Sequence, residues 1–318
     1  MENQNLKKGI TFGSFGVVLI GLQPVISNAR PSILDPFIFA AATALIEALI
    51  FLPLYILKRR RLIQNKNNEF DPQIIESLLN GWKKKKTINL LVMICLIFSV
   101  IPVLLYIGFE IAGAINSSLT LKSEVVFALI FGVIILKEKM ISKVQIIFCI
   151  ILYFGLILAI TRASFNLLEF NMGVIILTIS VAIFTFVHTL TKFGLNRNEL
   201  FPTQIVFIRT LVSGLILFIF YICLFPVENL LLILDIENFI FILIMAVDYS
   251  LGLFLWYTTL TYLEIGKAST INSLTPIISA FFSWIILGEI FTIFHLVGTL
   301  IIIFSIYIIV KEKKLGND

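Results

Sequence analysis

The chain has 318 residues, of which 59% are hydrophobic and only 14% are charged, and its mean hydropathy is +1.05. An average soluble domain carries about 25% charged residues, so this composition excludes an ordinary water-soluble fold. The net charge of +5 does not indicate nucleic-acid binding, because Lys and Arg gather in short segments between apolar runs, where membrane topology explains them.

Long unbroken apolar runs predict an all-α integral membrane protein rather than a β-barrel, whose strands show only short alternating patterns. A helix needs about 20 apolar residues to cross the hydrocarbon core. Ten stretches satisfy this requirement: Gly9–Asn28, Pro36–Leu57, Thr87–Gly108, Ile111–Leu136, Ile141–Thr161, Met172–Phe193, Thr203–Phe225, Phe239–Tyr262, Lys267–Leu287 and Ile290–Val310. The first run lacks a small-residue cleavage site, so we expect it to remain as a membrane helix.

The loops differ in charge according to the side of the membrane that they face. Lys and Arg cluster before the first span, after the second, fourth and sixth spans, and in the tail, whereas the loop after the seventh span is acidic. Because cytoplasmic loops are enriched in Lys and Arg, we predict a multi-pass protein of the cell membrane with both termini in the cytoplasm.

The cytoplasmic loop 58–86 contains one candidate helix. Asp71 and Pro72 form a good N-cap and first-turn pair, and the apolar residues that follow up to Trp82 have helical spacing. Four lysines come next, which favours a short helix lying on the anionic leaflet. The alternative is a flexible, solvated loop.

The chain repeats itself when it is shifted by 151 positions. This shift lays SEVVFALIFGVIILKE, ending at Glu138, over LTPIISAFFSWIILGE, ending at Glu289, and it also aligns Tyr106 with Tyr257. We therefore predict two five-helix repeats, 1–165 and 166–318. Because five is odd, the second repeat enters the membrane from the opposite side, and in transporters of this kind interrupted helices in corresponding positions form the substrate site. Here these are the fourth and ninth spans.

The stretch LTPIISAFFSWIILGE resembles the drug/metabolite transporter superfamily, particularly its EamA-type members. The first copy departs from the pattern, with Val125 in the place of Pro276 and Lys137 in the place of Gly288. The resemblance covers nearly the whole chain and implies a secondary carrier or exporter of amino acids, other metabolites or drugs. It also implies an arginine in the second span of each repeat, which is Arg209 in the second copy but Thr43 in the first.

Ionisable residues inside the spans are the candidate substrate and coupling residues, because charges at that depth are costly and usually functional. They are Glu47, Lys122, Glu124, Arg209 and Asp248, with His188 nearby. Lys122 and Glu124 are two residues apart, about 200° around a helix, so each needs a partner elsewhere. We expect proton coupling, with Glu124 as the first candidate. The alternative is a packing salt bridge, such as Lys122 with Asp248 or Arg209 with Glu124.

Polar residues of the ninth span complete the candidate set. Pro276 cannot donate to the carbonyl of Asn272, so this carbonyl, with Thr275 beside it, is a candidate substrate ligand; the alternative is helix packing through small residues. Tyr257 lines either an interfacial aromatic belt or a pocket. Glu138 and Glu289 are predicted to cap the helices that follow them.

No pattern indicates a metal site, a cofactor loop or an intramembrane enzyme. We therefore expect a transporter of small metabolites such as amino acids or amines, most simply an exporter working by alternating access as a monomer or homodimer among lipids. A non-transporting membrane scaffold or sensor is the competing hypothesis, and it predicts no solute flux.

Overall fold

The computed structural model describes residues 2–64, 72–137, 140–165, 171–263, 268 and 271–315. These ranges are dominated by helices, and no β-strand occurs within them. The α-helices are α1 (Glu2–Ala29), α2 (Pro36–Gln64), α3 (Pro72–Asn80), α4 (Lys85–Phe98), α5 (Ile101–Ala112), α6 (Ala114–Thr120), α7 (Glu124–Leu136), α8 (Lys143–Ile160), α9 (Met172–Asn196), α10 (Pro202–Leu224), α11 (Ile236–Tyr262), α12 (Thr275–Leu287) and α13 (Ile293–Leu315). Short 3-10 segments follow α3, α6 and α10.

Nine helical stretches in the described part of the chain are long and apolar enough to cross a membrane. They coincide with nine of the predicted spans, so the class of multi-pass α-helical membrane protein is confirmed. At the remaining predicted span, 267–287, the structure has the shorter apolar helix α12, and residues 267, 269 and 270 lie outside the described residues. The total of ten spans therefore stays a prediction.

Polar caps fix where several apolar helices begin. Asp35 Oδ1 accepts hydrogen bonds from the backbone N–H groups of Phe37 (2.8 Å) and Ile38 (3.1 Å), and Pro36 occupies the first turn, where its missing N–H is harmless. Ser142 and Gln145 form a reciprocal capping box at the start of α8. These side chains accept hydrogen bonds from backbone N–H groups that would find no acceptor in the hydrocarbon core of a membrane.

The described chain packs as two compact units. The first unit comprises Met1–Arg30, Leu104–Thr185 and Leu251–Asp318, and the second comprises Pro31–Val103 and Phe186–Ser250. Each unit draws on both halves of the sequence. The predicted repeats, 1–165 and 166–318, describe internal sequence similarity rather than packing, so their boundaries stay a prediction.

In the first unit, α8 and α13 pack against each other over much of their length. They approach closely where two glycines meet, because a Cβ atom on Gly298 would lie only 2.5 Å from the carbonyl oxygen of Gly155. Helix α12 packs against α1 and α6 in the same unit. The two candidate interrupted spans are thereby brought into contact.

In the second unit, α2 packs along α10, and α4 also packs against α10. Helix α3 forms where the sequence predicted it, with Ile75 only 2% exposed, so the flexible-loop alternative is wrong for residues 72–80. Asp71, the predicted cap, lies outside the described residues. Whether α3 rests on the membrane surface stays a prediction.

The internal repeat is visible in the backbone of the first unit. The fourth span breaks into a 3-10 turn at Leu121–Ser123, and the ninth breaks into a turn at residues 273–274, which correspond to 122–123 under the 151-residue shift. Lys137 (φ 55°) and Gly288 (φ 69°), which also correspond, both end their helices in the left-handed conformation. Lys137 thus keeps the local geometry despite the departure in sequence, although a lysine adopts it less readily than glycine.

Candidate functional site

The ammonium of Lys122 lies at the interruption of the fourth span and contacts the interruption of the ninth. Its Nζ donates a hydrogen bond to the backbone carbonyl oxygen of Asn272 (2.9 Å), and the lysine is 3% exposed. The sequence required a partner for Lys122 outside its own span, and the structure supplies one. A charged side chain therefore bridges the two broken helices of the first unit.

The backbone carbonyl oxygen of Asn272 accepts two hydrogen bonds from side chains. Besides Lys122, Thr275 Oγ1 donates to this carbonyl oxygen at 2.6 Å and approaches the Asn272 side-chain Oδ1 at 2.9 Å. The sequence predicted that Pro276 would leave the carbonyl without a backbone donor, and side chains now take that place. Lys122 and Thr275 therefore both donate to the same carbonyl oxygen, and removing one donor would leave the other.

Glu124 begins helix α7, directly after the 3-10 turn that carries Lys122. It is partly exposed in the protein and lies within electrostatic range of Lys122. A carboxylate in the first turn also interacts favourably with the partial positive charge of the helix N-terminus. The carboxylate of Glu124 and the ammonium of Lys122 are therefore both found at the N-terminal end of α7.

Two aromatic residues of α11 differ in their surroundings. Tyr257 is 3% exposed and is buried within the first unit, so the interfacial-belt interpretation is wrong for it. Trp256 lines a small cavity with Asn272 and the glycines of α1, Gly13 and Gly16; about 10 Å³ of it is open to a water molecule. That is roughly the room of one water.

Arg209 is the most deeply buried charge of the second unit, with 0% exposure. Its guanidinium carbon lies 3.7 Å from the ring centroid of Phe98, a cation–π contact. None of its three nitrogens has a hydrogen-bond acceptor among the described residues. Within the described part of the second unit, no carboxylate is hydrogen-bonded to Arg209.

Glu47 lies one turn beyond Thr43, on the helix that packs against the arginine helix. It is 4% exposed, its Oε2 has no hydrogen-bond donor in the described chain, and it lies within electrostatic range of Arg209. No ion pair within 4 Å joins the two among the described residues. Glu47 and Arg209 are thus close enough to interact electrostatically but do not form a direct ion pair.

His188 and Asp248 also belong to the second unit. The half-buried imidazole of His188 lies within electrostatic range of Arg209. Asp248 is 5% exposed, and its Oδ2 has no donor in the described chain. Glu47 and Asp248 thus place two buried carboxyl groups in the same unit as the buried guanidinium of Arg209.

Two polar contacts were missed or misassigned from the sequence. Glu289 does cap a helix, but it is α6: its carboxylate accepts from the N–H groups of Ala114 (2.7 Å) and Ile115 (3.0 Å). The expectation that Glu289 would cap its own following helix was therefore wrong, because its carboxylate accepts from the first N–H groups of α6 instead. Glu138, its counterpart, lies outside the described residues.

Glu199, between α9 and α10, is at the centre of a cluster of polar and charged residues that the sequence did not predict. Its carboxylate accepts from Thr87 Oγ1 (2.6 Å) and pairs with Lys84 (3.1 Å) and Arg197 (3.3 Å). Burial alone would raise the pKa of Glu199, but these hydrogen bonds and positive charges outweigh it and lower the pKa below its usual value. The cluster ties the start of α4 to the loop before α10.

Paired broken helices and buried ionisable residues in a bundle of membrane-spanning helices define the class of polytopic membrane transporter. Residues 7–161 and 171–311 each match the EamA-like transporter family, and the chain belongs to that family. A curated relative in Methanothermobacter thermautotrophicus (strain ATCC 29096 / DSM 1053 / JCM 10044 / NBRC 100330 / Delta H) is named "Uncharacterized transporter"; it is 26% identical over 73% of this chain and 67% of its own. A solved protein crystal structure shares the fold, with a TM-score of 0.62 and 8% identity over 98% of this chain and 99% of its own.

Proposed function

We propose that this protein is a proton-coupled secondary transporter that exports small metabolites bearing an ammonium group, such as amino acids or amines, by alternating access. Its two halves, 1–165 and 166–318, act as inverted repeats in the cell membrane, with both termini in the cytoplasm. Family membership and the name of the relative support transport in general. The contact between Lys122 and Asn272 supports the substrate class.

That contact carries the proposal because the lysine resembles a bound substrate. Backbone left open by a broken helix is tolerated at membrane depth only where protein or water covers it. Here an ammonium covers the Asn272 carbonyl. A substrate ammonium offers the same charge and the same donors, so it can replace Lys122 Nζ at this oxygen once the lysine withdraws.

Glu124 is the proposed proton carrier for this exchange. When Glu124 is ionised, its charge offsets that of Lys122 at the start of α7. A proton on Glu124 removes this offset, so Lys122 loses a stabilising neighbour and its position on the Asn272 carbonyl becomes easier to displace. Proton loading and substrate binding would thus be coupled through one side chain.

The test uses proteoliposomes that contain a pH-sensitive dye and are challenged with pooled amino acids, amines and other metabolites. We expect substrate-dependent proton movement in the wild type, and loss of this signal in Glu124→Gln with substrate exchange retained. Glu237→Gln serves as the matched control, because Glu237 is exposed at the start of α11.

The outcomes separate the hypotheses. Proton movement that persists unchanged in a folded Glu124→Gln protein would remove the coupling role of Glu124. Silence of the wild type with every pool, together with absent exchange of labelled solutes, would refute transport and favour the scaffold or sensor hypothesis.

A further inference from the structure

One end of the second unit carries a dense group of positive charges. Four consecutive cations, residues 58–61, lie in the last two turns of α2, four lysines occupy residues 83–86, and Arg197 directly follows α9. The described residues from the end of α2 to the start of α4, together with the loop between α9 and α10, include only two carboxylates, Glu76 and Glu199. Residues 58–61, 83–86 and Arg197 are called the basic end below.

The three segments of the basic end are joined by contacts within the unit. Tyr55, less than one turn before the cations of α2, stacks on Phe201 at the start of α10, with ring centroids 5.8 Å apart. Two residues before Phe201, the carboxylate of Glu199 pairs with both Lys84 and Arg197. The ends of α2, α4 and α9 therefore bring their cations to one place.

Helix α3 holds the lysine segment against the protein. Ile75 is 2% exposed, and α3 contacts α2. In the turn that follows α3, a Cβ atom on Gly81 would lie only 2.5 Å from the carbonyl oxygen of Glu199, so the two backbones are in close contact. The four lysines after this turn thus begin from a fixed position.

Glu199 holds two of the cations side by side. Lys84 Nζ lies 3.1 Å and Arg197 Nη2 lies 3.3 Å from the same carboxylate oxygen, Oε1. One carboxylate balances only one of these two charges, and both groups carry more N–H donors than Glu199 uses. The side chains of Lys84 and Arg197 are 56% and 38% exposed. One positive charge and several donors therefore remain for an external monoanion.

Exposed apolar side chains adjoin these cations. Leu57, directly before residues 58–61, is 51% exposed, and Ile88 and Val92, which follow Lys84 by four and eight residues, are 42% and 51% exposed. A helix places residues at this spacing on one face. A phospholipid offers an anionic phosphate next to acyl chains, and so matches both the cations and the apolar side chains. An acidic protein would match only the cations.

We propose that the basic end binds anionic phospholipids, with the phosphate diester at Lys84 and Arg197 and the acyl chains along Ile88 and Val92. The other cations add attraction to the negatively charged leaflet. This surface goes beyond the proposed transport function and does not depend on it. It also differs from the amphipathic helix expected from the sequence, because its cations come from three segments of the chain.

The experiment measures lipid binding to purified full-length protein in a non-ionic detergent, by thermal stabilisation and by native mass spectrometry of the bound lipid. Phosphatidylglycerol is compared with phosphatidylcholine of the same chain length and with glycerol phosphate, which lacks acyl chains. We expect phosphatidylglycerol to bind about tenfold more tightly than either. Its advantage over phosphatidylcholine should shrink at high salt, because exposed charges are screened.

Charge-neutralising variants locate the surface while leaving the Glu199 cluster intact. The test variant replaces three exposed lysines of the basic end: Lys83→Gln, Lys85→Gln and Lys86→Gln. The matched control removes the same number of exposed lysines from the first unit: Lys7→Gln, Lys8→Gln and Lys311→Gln. The test variant should bind phosphatidylglycerol about tenfold more weakly than wild type, with phosphatidylcholine unchanged, and the control should match wild type for both lipids.

Several results would overturn the lipid assignment. These are equal binding of the two lipids, equal phosphatidylglycerol binding by the test and control variants, and binding of glycerol phosphate as tight as that of phosphatidylglycerol. Tighter binding of poly-L-glutamate than of phosphatidylglycerol would replace the lipid by an acidic protein partner. If the test variant does not fold, Arg197→Gln should still weaken phosphatidylglycerol binding by about fivefold, and unchanged binding overturns the proposal. Absent transport with normal lipid binding would refute the proposed function alone.

Discussion

The closest backbone approach between α8 and α13 makes Gly298 intolerant of even a methyl group. A Cβ atom there would lie 2.5 Å from the Gly155 carbonyl oxygen and 2.6 Å from the Cβ of Ala159. Ordinary contact begins near 3.4 Å, so the helices would have to separate locally by about 0.9 Å. Overpacking of this kind costs roughly 1–3 kcal/mol. The better helix propensity of alanine returns at most about 1 kcal/mol, so Gly298→Ala should destabilise the protein.

Thermal unfolding of purified protein in one detergent measures this effect against two related substitutions. Gly155→Ala should destabilise less, because its shortest contact, 2.8 Å to a methyl carbon of Ile301, is longer than the 2.5 Å contact at Gly298, although the Gly298 carbonyl oxygen also lies only 3.1 Å away. Gly16→Ala should be neutral or slightly stabilising, since its nearest neighbour lies at 3.5 Å. If Gly298→Ala unfolds at or above the wild-type temperature, the α8–α13 packing described above is incorrect.

Two further predictions concern carboxylates. Glu199→Gln should lower stability at neutral pH by about 1.5–3 kcal/mol, the range for hydrogen bonds to charged groups. Because the folded pKa of Glu199 is lowered, its contribution is present above the unfolded pKa and is lost as pH falls through the folded pKa. Thermal melts should therefore show a stability gap between wild type and Glu199→Gln at pH 7 that closes as the pH falls to 3. The exposed control Glu228→Gln should match wild type throughout. A wild-type-to-Glu199→Gln gap that stays constant with pH would contradict the linkage. Glu289→Ala should remove the cap of α6 at a cost of about 1–2 kcal/mol and speed hydrogen exchange of the Ala114 amide, with Glu289→Gln intermediate; unchanged exchange in both would refute the capping role.

Local residue patterns were sufficient to predict most of the helices. Nine spans are recognisable because membrane helices must satisfy their own backbone hydrogen bonds, which forces long apolar runs into the sequence. An interruption in the fourth span could be predicted on similar grounds, because the charges of Lys122 and Glu124 are energetically unfavourable inside an undisturbed apolar helix. Lys137, which departs from the repeat in sequence, nevertheless ends its helix in the left-handed conformation.

The sequence by itself determined the membrane class, the family resemblance and which ionisable residues lie inside the apolar spans, because these depend on local composition and spacing. Only the tertiary structure decided their partners. Hydrogen bonds such as Lys122 to Asn272 and Glu289 to Ala114 join residues about 150 or more positions apart, and so does the proximity of Glu47 to Arg209. A helix pattern specifies which face is polar, but the contact that this face makes depends on how distant helices pack.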